Sequence, residues 1–203
     1  MIKRIVSYPE RWFERRKYCR LFRHFGVQSR VFKPLRLYCP ENISIGENTY
    51  INNMAWLSAV PLTGSEKCSL SIGNGCRVGD FCHLFATESV VIEDNVLIAN
   101  NVYISDNLHQ YSDIDLPIYQ QPIVQLAPVV VGEGSWLGEH VCVIGASVGK
   151  HSVIGANAVV TKDIPDYCVA VGIPAHVIKR YDFRKQAWRK VDIEGNFIVE
   201  END

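Results

Sequence analysis

The segment Ile72–His83, "IGNGCRVGDFCH", consists of two successive blocks of six residues that share one pattern. Each block begins with an aliphatic residue and a glycine, and its fifth position holds a cysteine, Cys76 or Cys82. A period this short and regular is typical of a solenoid, in which each coil contacts only its neighbours. Further blocks begin at Ile45, Ile51, Ile92, Ile98, Ile104, Val131, Leu137, Val143, Val148, Ile154 and Val160.

Each position of the block has a physical role in a triangular coil. The aliphatic residues stack above one another inside the coil, and a small fifth residue leaves room for them because protein interiors are close-packed. Glycine, asparagine and aspartate near the corners tolerate the positive φ of sharp bends. The pattern predicts an all-β parallel β-helix of about five coils. It disfavours a β-sandwich, whose strands rarely keep a register of six residues.

The spacing of the blocks predicts one long protruding loop. Blocks on one face begin at Ile45, Ile72, Ile92, Val131 and Val148, and the largest interval, 39 residues, lies between Ile92 and Val131. A coil of three blocks needs only about 18 residues, so some 21 residues leave the solenoid there. They form a predicted loop over 109–128, which begins at His109. Loops of this length are uncommon unless they are functional.

Composition sets broad limits on the chain. Its 203 residues, 47% of them hydrophobic and 21% charged, fit one globular domain. No apolar run is long enough to span a bilayer, and the first residues lack the apolar core of a secretory signal. The seven cysteines contain no CxxC pair. This argues against a disulfide framework or a cysteine-rich zinc site and predicts a cytoplasmic protein.

Positive charge is concentrated at the N-terminus. The net charge is −1, yet residues 1–36 contain 11 lysines and arginines against two acidic residues. Residues 9–25 fit an amphipathic helix with Trp12, Phe13, Leu21, Phe22 and Phe25 on its apolar side. We expect this helix to close the first coil or to contact anionic lipid; no motif supports nucleic-acid binding. The predicted organisation is a cap over 1–40, a repeat domain over 41–180 and a tail over 181–203.

Three segments resemble a known family: "VIGANAVVTKDIP" (153–165), "VGIPAHVIKRY" (171–181) and "ISDNLHQY" (104–111). The first two are similar to the closing segment of the hexapeptide-repeat acyltransferases that acetylate galactosides, maltose and polysaccharides. The third resembles the Asp-x-x-His segment of the branch that acetylates lipopolysaccharide and capsule sugars. The likeness covers 43–180 and implies a left-handed coil, whereas general chirality rules favour right-handed crossovers. It also implies a homotrimer with acetyl-CoA between protomers, and a long loop that crosses to the adjacent subunit.

The resemblance implies that His109 is the catalytic base. An alcohol holds its proton too tightly to attack a thioester near neutral pH, and a neutral imidazole within hydrogen-bonding reach can remove that proton. Asp106, three residues earlier, is expected to orient the ring or to serve a turn. The zinc site of γ-class carbonic anhydrases needs three histidines, two of them close together, and no other histidine lies within 20 residues of His109. We therefore expect no metal.

The resemblance also assigns residues to acetyl-CoA. The matching positions are Trp136, Glu139, Ala156, Thr161, Lys162, His176 and Lys179. Glu139 replaces a serine of the galactoside enzymes and His176 replaces an arginine. Gly79 and Thr87 stand where those enzymes hold a sugar acceptor through an asparagine and an acidic residue, so a galactoside or maltose acceptor is not supported. A hydroxyl of a surface polysaccharide or its precursor is preferred. An amino sugar as acceptor, in a sugar-nucleotide N-acetyltransferase, and a non-catalytic trimeric scaffold remain the alternatives.

Overall fold

The computed structural model describes residues 8–198, and the side chains from residue 13 onward. The chain forms an all-β, left-handed parallel β-helix, the fold class expected from the repeat and the family resemblance. A helix, α1 (Tyr8–Leu21), precedes the coils. Residues 1–7 of the predicted cap, residues 199–203 of the predicted tail and the side chain of Trp12 lie outside the described parts.

Six coils each cross three faces in turn. The first three contain β1 (His24–Phe25), β2 (Arg30–Val31), β3 (Arg36–Tyr38), β4 (Ile43–Ile45), β5 (Tyr50–Ile51), β6 (Trp56–Ala59), β7 (Ser69–Ile72), β8 (Arg77–Val78) and β9 (His83–Ala86). The fourth contains β10 (Ser89–Ile92), β11 (Leu97–Ile98) and β12 (Tyr103–Ser105), after which β13 (Asn107–His109) and β14 (Ile123–Gln125) form an antiparallel hairpin.

The remaining strands complete the solenoid and close its C-terminal end. They are β15 (Val129–Val131), β16 (Trp136–Leu137), β17 (Cys142–Ile144), β18 (Val153–Ile154), β19 (Val159–Val160), β20 (Cys168–Val171), β21 (His176–Asp182) and β22 (Ala187–Lys190). Short 3-10 turns occupy Pro40–Asn42 and Ile118–Gln120. β21 pairs antiparallel with β20, and β22 pairs antiparallel with β21, so the predicted boundary at residue 180 falls inside β21.

Equivalent strands of successive coils pair in parallel and build three sheets. Sheet A holds the first strand of each coil up to β15, and Val148 and Ile164 continue it as single bridges. Sheet B holds the second strands up to β20, and sheet C the third strands from β3 to β19. Three corners, A–B, B–C and C–A, join the sheets.

The interior follows the six-residue pattern. Every aliphatic residue that begins a block, from Ile45 to Val160, is at most 2% exposed. The fifth positions are at most 1% exposed except in the blocks from Ile104, Val143 and Val160, which end at a corner where the coil is interrupted or shortened. Thr49, Ser135 and Ser152 fill fifth positions although they are polar. Their hydroxyls reach backbone carbonyls of the next coil, such as Gly73 (2.6 Å) and Gly149 (2.7 Å), which satisfies them inside the coil.

The corner positions of the block have two separate structural roles, whereas the sequence pattern suggested one shared role for glycine, asparagine and aspartate. Positive φ occurs at the fourth position of the block, including Asn48, Asn95 and Asn101, but also at bulky Phe81 and His140. The aspartates and several asparagines sit one position earlier with ordinary φ. There, their side chains accept backbone N–H groups of the preceding coil: Asp94 accepts from Asn74, Asn100 from Asp80 and Asp80 from Asn53. Aspartate is therefore selected as a hydrogen-bond acceptor rather than for a left-handed backbone.

The N-terminal segment contains one more coil than the pattern predicts. Residues 24–38, predicted to belong to the cap, form the first coil and pair with the second. The period is hard to see there because the first block begins with an aromatic residue, Phe25, and the block that begins at Val31 lacks the glycine. α1 closes this coil through Tyr18 and Phe22, whose rings lie 5.6–5.8 Å from each other and from Phe25. Phe13, predicted on the apolar side, is exposed.

Within the described residues, no helix combines the length and apolar character needed to cross a membrane.

Glycine at the second position of a block follows from how closely the coils stack. A Cβ at Gly79 would lie 2.5 Å from the carbonyl carbon of Ala99 in the next coil, and one at Gly138 would lie 2.7 Å from the amide nitrogen of Ala156. Neither glycine has a positive φ. These glycines are required by close backbone contact, not by backbone conformation.

This stacking contact predicts the effect of an added methyl group. We expect Gly79→Ala to lower the free energy of unfolding by about 3 kcal/mol, because neither backbone can move without breaking the ladder. Gly64→Ala is the control, since Gly64 has a positive φ and no neighbouring atom within 4 Å of its new Cβ. It should lose only about 1 kcal/mol. Chemical denaturation measures both, and equal losses would contradict the stacking explanation.

Candidate active site

Asp106 is the anchor of the hairpin that interrupts the solenoid. It lies fully buried at the C–A corner, directly after β12. Its carboxylate accepts the backbone N–H groups of Thr87 (2.8 Å), Glu88 (2.8 Å) and Ser89 (2.7 Å), which form the corner of the preceding coil. The Thr87 hydroxyl (3.0 Å) and the Asn107 side-chain amide (3.0 Å) complete five donors. The hairpin is thus fixed to the coil at its first residue.

The surroundings of Asp106 keep it ionised. Burial alone would raise its pKa, but the hydrogen bonds from Asn107 and from the three backbone N–H groups oppose this and hold the pKa below its ordinary value of 3.8. A carboxylate that accepts several N–H groups is stabilised in its charged form. Asp106 therefore carries a negative charge beneath the hairpin at neutral pH.

His109 ends β13 with its side chain exposed, opposite Ile123 of β14. Among the described residues, no hydrogen bond or ion pair involves its imidazole, and none joins it to Asp106. The two predicted site residues thus lie three positions apart at the base of the hairpin, Asp106 before β13 and His109 at its end, but their side chains have different surroundings. The imidazole of His109 is exposed at the C–A corner, whereas the carboxylate of Asp106 is hydrogen-bonded to backbone N–H groups.

The protruding segment differs slightly from the predicted loop over 109–128. It starts as the hairpin β13–β14, and only 110–122 is free of strand pairing. Gln121 is buried and folds the tip together by donating to the carbonyls of Asp113 (2.8 Å) and Leu116 (3.0 Å). Large apolar side chains on the tip remain exposed, namely Tyr111, Ile114, Leu116, Ile118 and Tyr119, with Ile114 at 94%.

Two residues that the sequence did not single out belong to the hairpin base. Gln125 pairs with Asn107 across the hairpin, and its side chain hydrogen-bonds the Asp106 carbonyl (2.8 Å) and the hydroxyls of Thr87 (2.8 Å) and Thr63 (2.6 Å). The available signal was the nine-residue insertion of residues 60–68, which the block spacing places at the same corner. The spacing gives the corner but not the side chains that meet there.

The residues matched to the cofactor lie on two corners and one face. Glu139 and Ala156 stack on the B–C corner, where the Asn157 amide donates to the Glu139 carbonyl (2.8 Å). The Glu139 carboxylate accepts the Asn100 side chain (3.1 Å). Trp136, on the outer face of sheet B, is 47% exposed. His176 begins β21 one coil further along the B–C corner, beside Gly172.

Thr161 and Lys162 lie on the other side of sheet C. They follow β19 at the C–A corner, two coils beyond His109, and both are exposed. Within residues 8–198, the side chains of Lys162, His176 and Lys179 make no hydrogen bond or ion pair. Cations without partners and an exposed indole fit a long ligand that is anionic at one end. The residues matched to the cofactor are not gathered into one pocket by a single chain.

The two positions matched to acceptor binding have structural roles. Gly79 sits on the B–C corner, where the next coil leaves no room for a side chain. Thr87 is fully buried at the C–A corner and bonds Asp106 and Gln125. Gly79 offers no side chain, and the Thr87 hydroxyl lies among partners within the chain.

Another histidine, His83, is partly buried in an aromatic stack. His83 stacks on Trp56 on the outer face of sheet C, with ring centroids 4.1 Å apart, and Tyr103 lies on its other side. Burial lowers the pKa of His83 to about 4. The buried cysteines also have structural surroundings: burial raises the pKa of Cys68 to about 12 and that of Cys82 to about 11, which makes them poor nucleophiles.

Comparison with known proteins adds independent findings. The model of the family described as the hexapeptide repeat of succinyl-transferase matches residues 69–106 and 128–162. An Escherichia coli protein named as a lipopolysaccharide biosynthesis O-acetyl transferase is 36% identical over 121 residues, which are 56% of this chain and 62% of that protein. The chain spans less than two thirds of the length of the curated relatives that it matches first.

Two solved structures share the fold. A maltose O-acetyltransferase from Clostridium difficile is 30% identical with a TM-score of 0.54, and the match covers 90% of this chain and 79% of that one. An N-acyltransferase from Bacillus cereus, in complex with dTDP and 3-hydroxybutyryl-CoA, has a TM-score of 0.68 at 18% identity, covering 89% of this chain and 91% of that one. At that identity the second likeness concerns the fold alone.

The depressed pKa of Asp106 predicts an acid-sensitive part of stability. Its contribution is complete above the unfolded pKa of about 3.9 and is lost as the pH falls through the lower folded pKa. Asp106→Asn should therefore lower the free energy of unfolding by about 3 kcal/mol at pH 7, and the gap to wild type should shrink as the pH falls below about 4.

Urea denaturation at pH 7 and at lower pH tests this. Asp166→Asn is the control and should change stability little at pH 7, because this exposed carboxylate on the A–B corner accepts one backbone N–H, from Lys150 (2.7 Å), and asparagine keeps that acceptor oxygen. A gap between wild type and Asp106→Asn that stays constant across this pH range would contradict the assigned role of the charge.

Proposed function

Because the chain belongs to the hexapeptide-repeat acyltransferase family, we propose that it is an acetyltransferase that moves an acetyl group from acetyl-CoA to a sugar hydroxyl. The observation that carries the proposal is the exposed imidazole of His109, held at the base of a hairpin anchored by five hydrogen bonds to Asp106. Rigid presentation of a base is what acyl transfer to a weak nucleophile requires.

The proposed acceptor is a sugar of a surface polysaccharide or of its precursor. The relative named for lipopolysaccharide biosynthesis supports this class. The buried positions of Gly79 and Thr87 argue against the acceptor contacts of the galactoside type.

His109 acts first as the general base and then as the general acid in the proposed mechanism. Acetyl-CoA, when bound, supplies the acetyl group as an activated thioester. The neutral imidazole accepts the proton of the acceptor hydroxyl while that oxygen forms its bond to the thioester carbonyl carbon, and the protonated imidazole then returns the proton to the departing thiolate. Asp106 does not touch the imidazole, so we propose it as a positioning residue that fixes the strand carrying His109.

The chain offers suitable contacts to the cosubstrate without enclosing it. Lys162 and Lys179 are cations with no partner among the described residues and would meet its phosphates, while Trp136 would cover an apolar part. His176 adds a polar contact on the B–C corner, and exposed Ala156 and Thr161 leave backbone groups accessible. Glu139, already bonded to Asn100, would contribute through its backbone.

We further propose a homotrimer in which the hairpin of one protomer reaches the C-terminal coils of the next. Two observations support it: the matched residues are spread over two corners of one chain, and the hairpin tip exposes apolar side chains such as Ile114 and Tyr119. Exposed apolar clusters of this kind mark contact surfaces. Seven cysteines, all of them free thiols, suit the reducing cytoplasm as the proposed location. Contact of α1 with a membrane stays a prediction.

Removal of the imidazole should abolish most of the activity. We expect His109→Asn to lower kcat by at least about 100-fold. His151→Asn is the matched control, since His151 is an exposed corner residue on the A–B corner, where asparagine tolerates the positive φ. The assay measures CoA release from acetyl-CoA with a panel of hydroxyl and amino sugars. Retention of more than about a tenth of the wild-type turnover in His109→Asn would contradict the proposed role.

The same panel separates the candidate functions. Turnover with amino sugars alone would show that the acceptor group is an amine and not a hydroxyl. No turnover with any acceptor, together with no binding of acetyl-CoA in calorimetry, would favour a scaffold without catalysis.

A site shared between protomers predicts recovery of activity in mixed trimers. Ala156→Glu adds bulk and negative charge to the proposed cosubstrate groove and should be inactive by itself, as should His109→Asn. In trimers assembled at random from equal amounts of the two chains, about a quarter of the sites combine an intact His109 from one protomer with an intact Ala156 from its neighbour. We therefore expect about a quarter of the wild-type activity. Complete inactivity of the mixed trimers would place both residues in a site within one chain.

A further inference from the structure

The solenoid carries two insertions at one corner, and they are in contact. Residues 60–68 leave the C–A corner between β6 and β7, and the hairpin leaves it two coils later. Both ends of the shorter insertion are tied to the Ala86 carbonyl, through the Val60 amide (3.0 Å) and the Cys68 thiol (3.4 Å). This places the insertion beside Thr87, the residue whose backbone and hydroxyl bind Asp106.

Gln125 has a fixed orientation at the point of contact. Its side-chain nitrogen donates to the carbonyls of Asp106 (2.8 Å) and Leu126 (3.1 Å). If the amide flipped, its oxygen would face these two carbonyl oxygens, and neither contact could be a hydrogen bond. Its Oε1 consequently points at two hydroxyls, those of Thr87 (2.8 Å) and Thr63 (2.6 Å). Thr63 is the member of the shorter insertion that reaches the hairpin.

The proton count shows why Thr63 is needed. The Thr87 hydroxyl lies within hydrogen-bonding distance of both the Asp106 carboxylate (3.0 Å) and Gln125 Oε1 (2.8 Å), but it has a single proton to donate. The buried, charged carboxylate is the stronger acceptor. The Thr63 hydroxyl therefore supplies the donor that Gln125 Oε1 would otherwise lack. A half-buried acceptor without a donor would loosen the strand that carries it.

We propose that Thr63 is a positioning residue for catalysis: through Gln125 it holds the hairpin, and with it His109, in place. This inference rests on the proposed function. Gln125 lies opposite Asn107 in the hairpin, and His109 lies two residues further along β13. The insertion 60–68 is thus a buttress that fixes the base of the catalytic hairpin without touching the imidazole.

The test compares two substitutions of similar size. Thr63→Val removes the hydroxyl and keeps the shape, whereas Thr63→Ser keeps the hydroxyl. We expect Thr63→Val to lower kcat on the order of tenfold with little change in KM for acetyl-CoA, because the imidazole is misplaced rather than the cosubstrate. Thr63→Ser should stay within about twofold of wild type. In hydrogen–deuterium exchange, amides of 107–109 and 123–126 should exchange faster in Thr63→Val and at the wild-type rate in Thr63→Ser.

A double-mutant cycle provides the second variant. Gln125→Met removes the same hydrogen bond from the other side, so adding Thr63→Val to it should cause no further loss of kcat. Additive losses, an unchanged kcat in Thr63→Val, an equal loss in Thr63→Ser, or unchanged exchange in the hairpin would each overturn the proposal. Full activity of His109→Asn would overturn the proposed function instead, and the exchange measurements would still decide whether Thr63 holds the hairpin.

Discussion

Parallel backbone hydrogen bonds from each coil to the next are the constraint on which this molecule depends. Strands paired in a sheet lie about 4.8 Å apart, so every coil must repeat the path of its neighbour at that distance. Large residues such as Ile72 and Ile92 then stack inside, small residues fill the fifth positions, and glycine takes positions such as Gly79 where two backbones meet. A side chain that departs from the pattern affects two coils rather than one.

The same constraint decides where the chain can carry a functional segment. An insertion must leave and re-enter at a corner, because the faces are occupied by the ladder. Both long insertions use the C–A corner, and the corner N–H groups of residues 87–89 are satisfied there by the side chain of Asp106, the last residue before the hairpin. One buried carboxylate thus restores the hydrogen bonds of the interrupted corner and anchors the strand that presents His109.

The sequence predicted the inward residues of the repeat well, because a six-residue period has one physical solution for its aliphatic positions. It predicted the start of the protruding segment within two residues, since the block spacing counts the residues that the coil cannot hold. It missed the first coil, 24–38, where an aromatic residue, Phe25, begins the first block and the block from Val31 lacks the glycine. It also assigned aspartates such as Asp94 to bends, whereas they accept hydrogen bonds from the neighbouring coil.

By itself, the sequence determined the solenoid, the corner that is interrupted and the histidine at that interruption, because these follow from periodicity and counting along one chain. Only the tertiary structure decided what Asp106 does, since its five donors come mostly from a coil about twenty residues earlier. The same holds for Thr63 and Gln125, which are 62 residues apart in the chain and meet at one hydrogen bond. Such contacts depend on which corners stack, and stacking brings together residues that no local pattern connects.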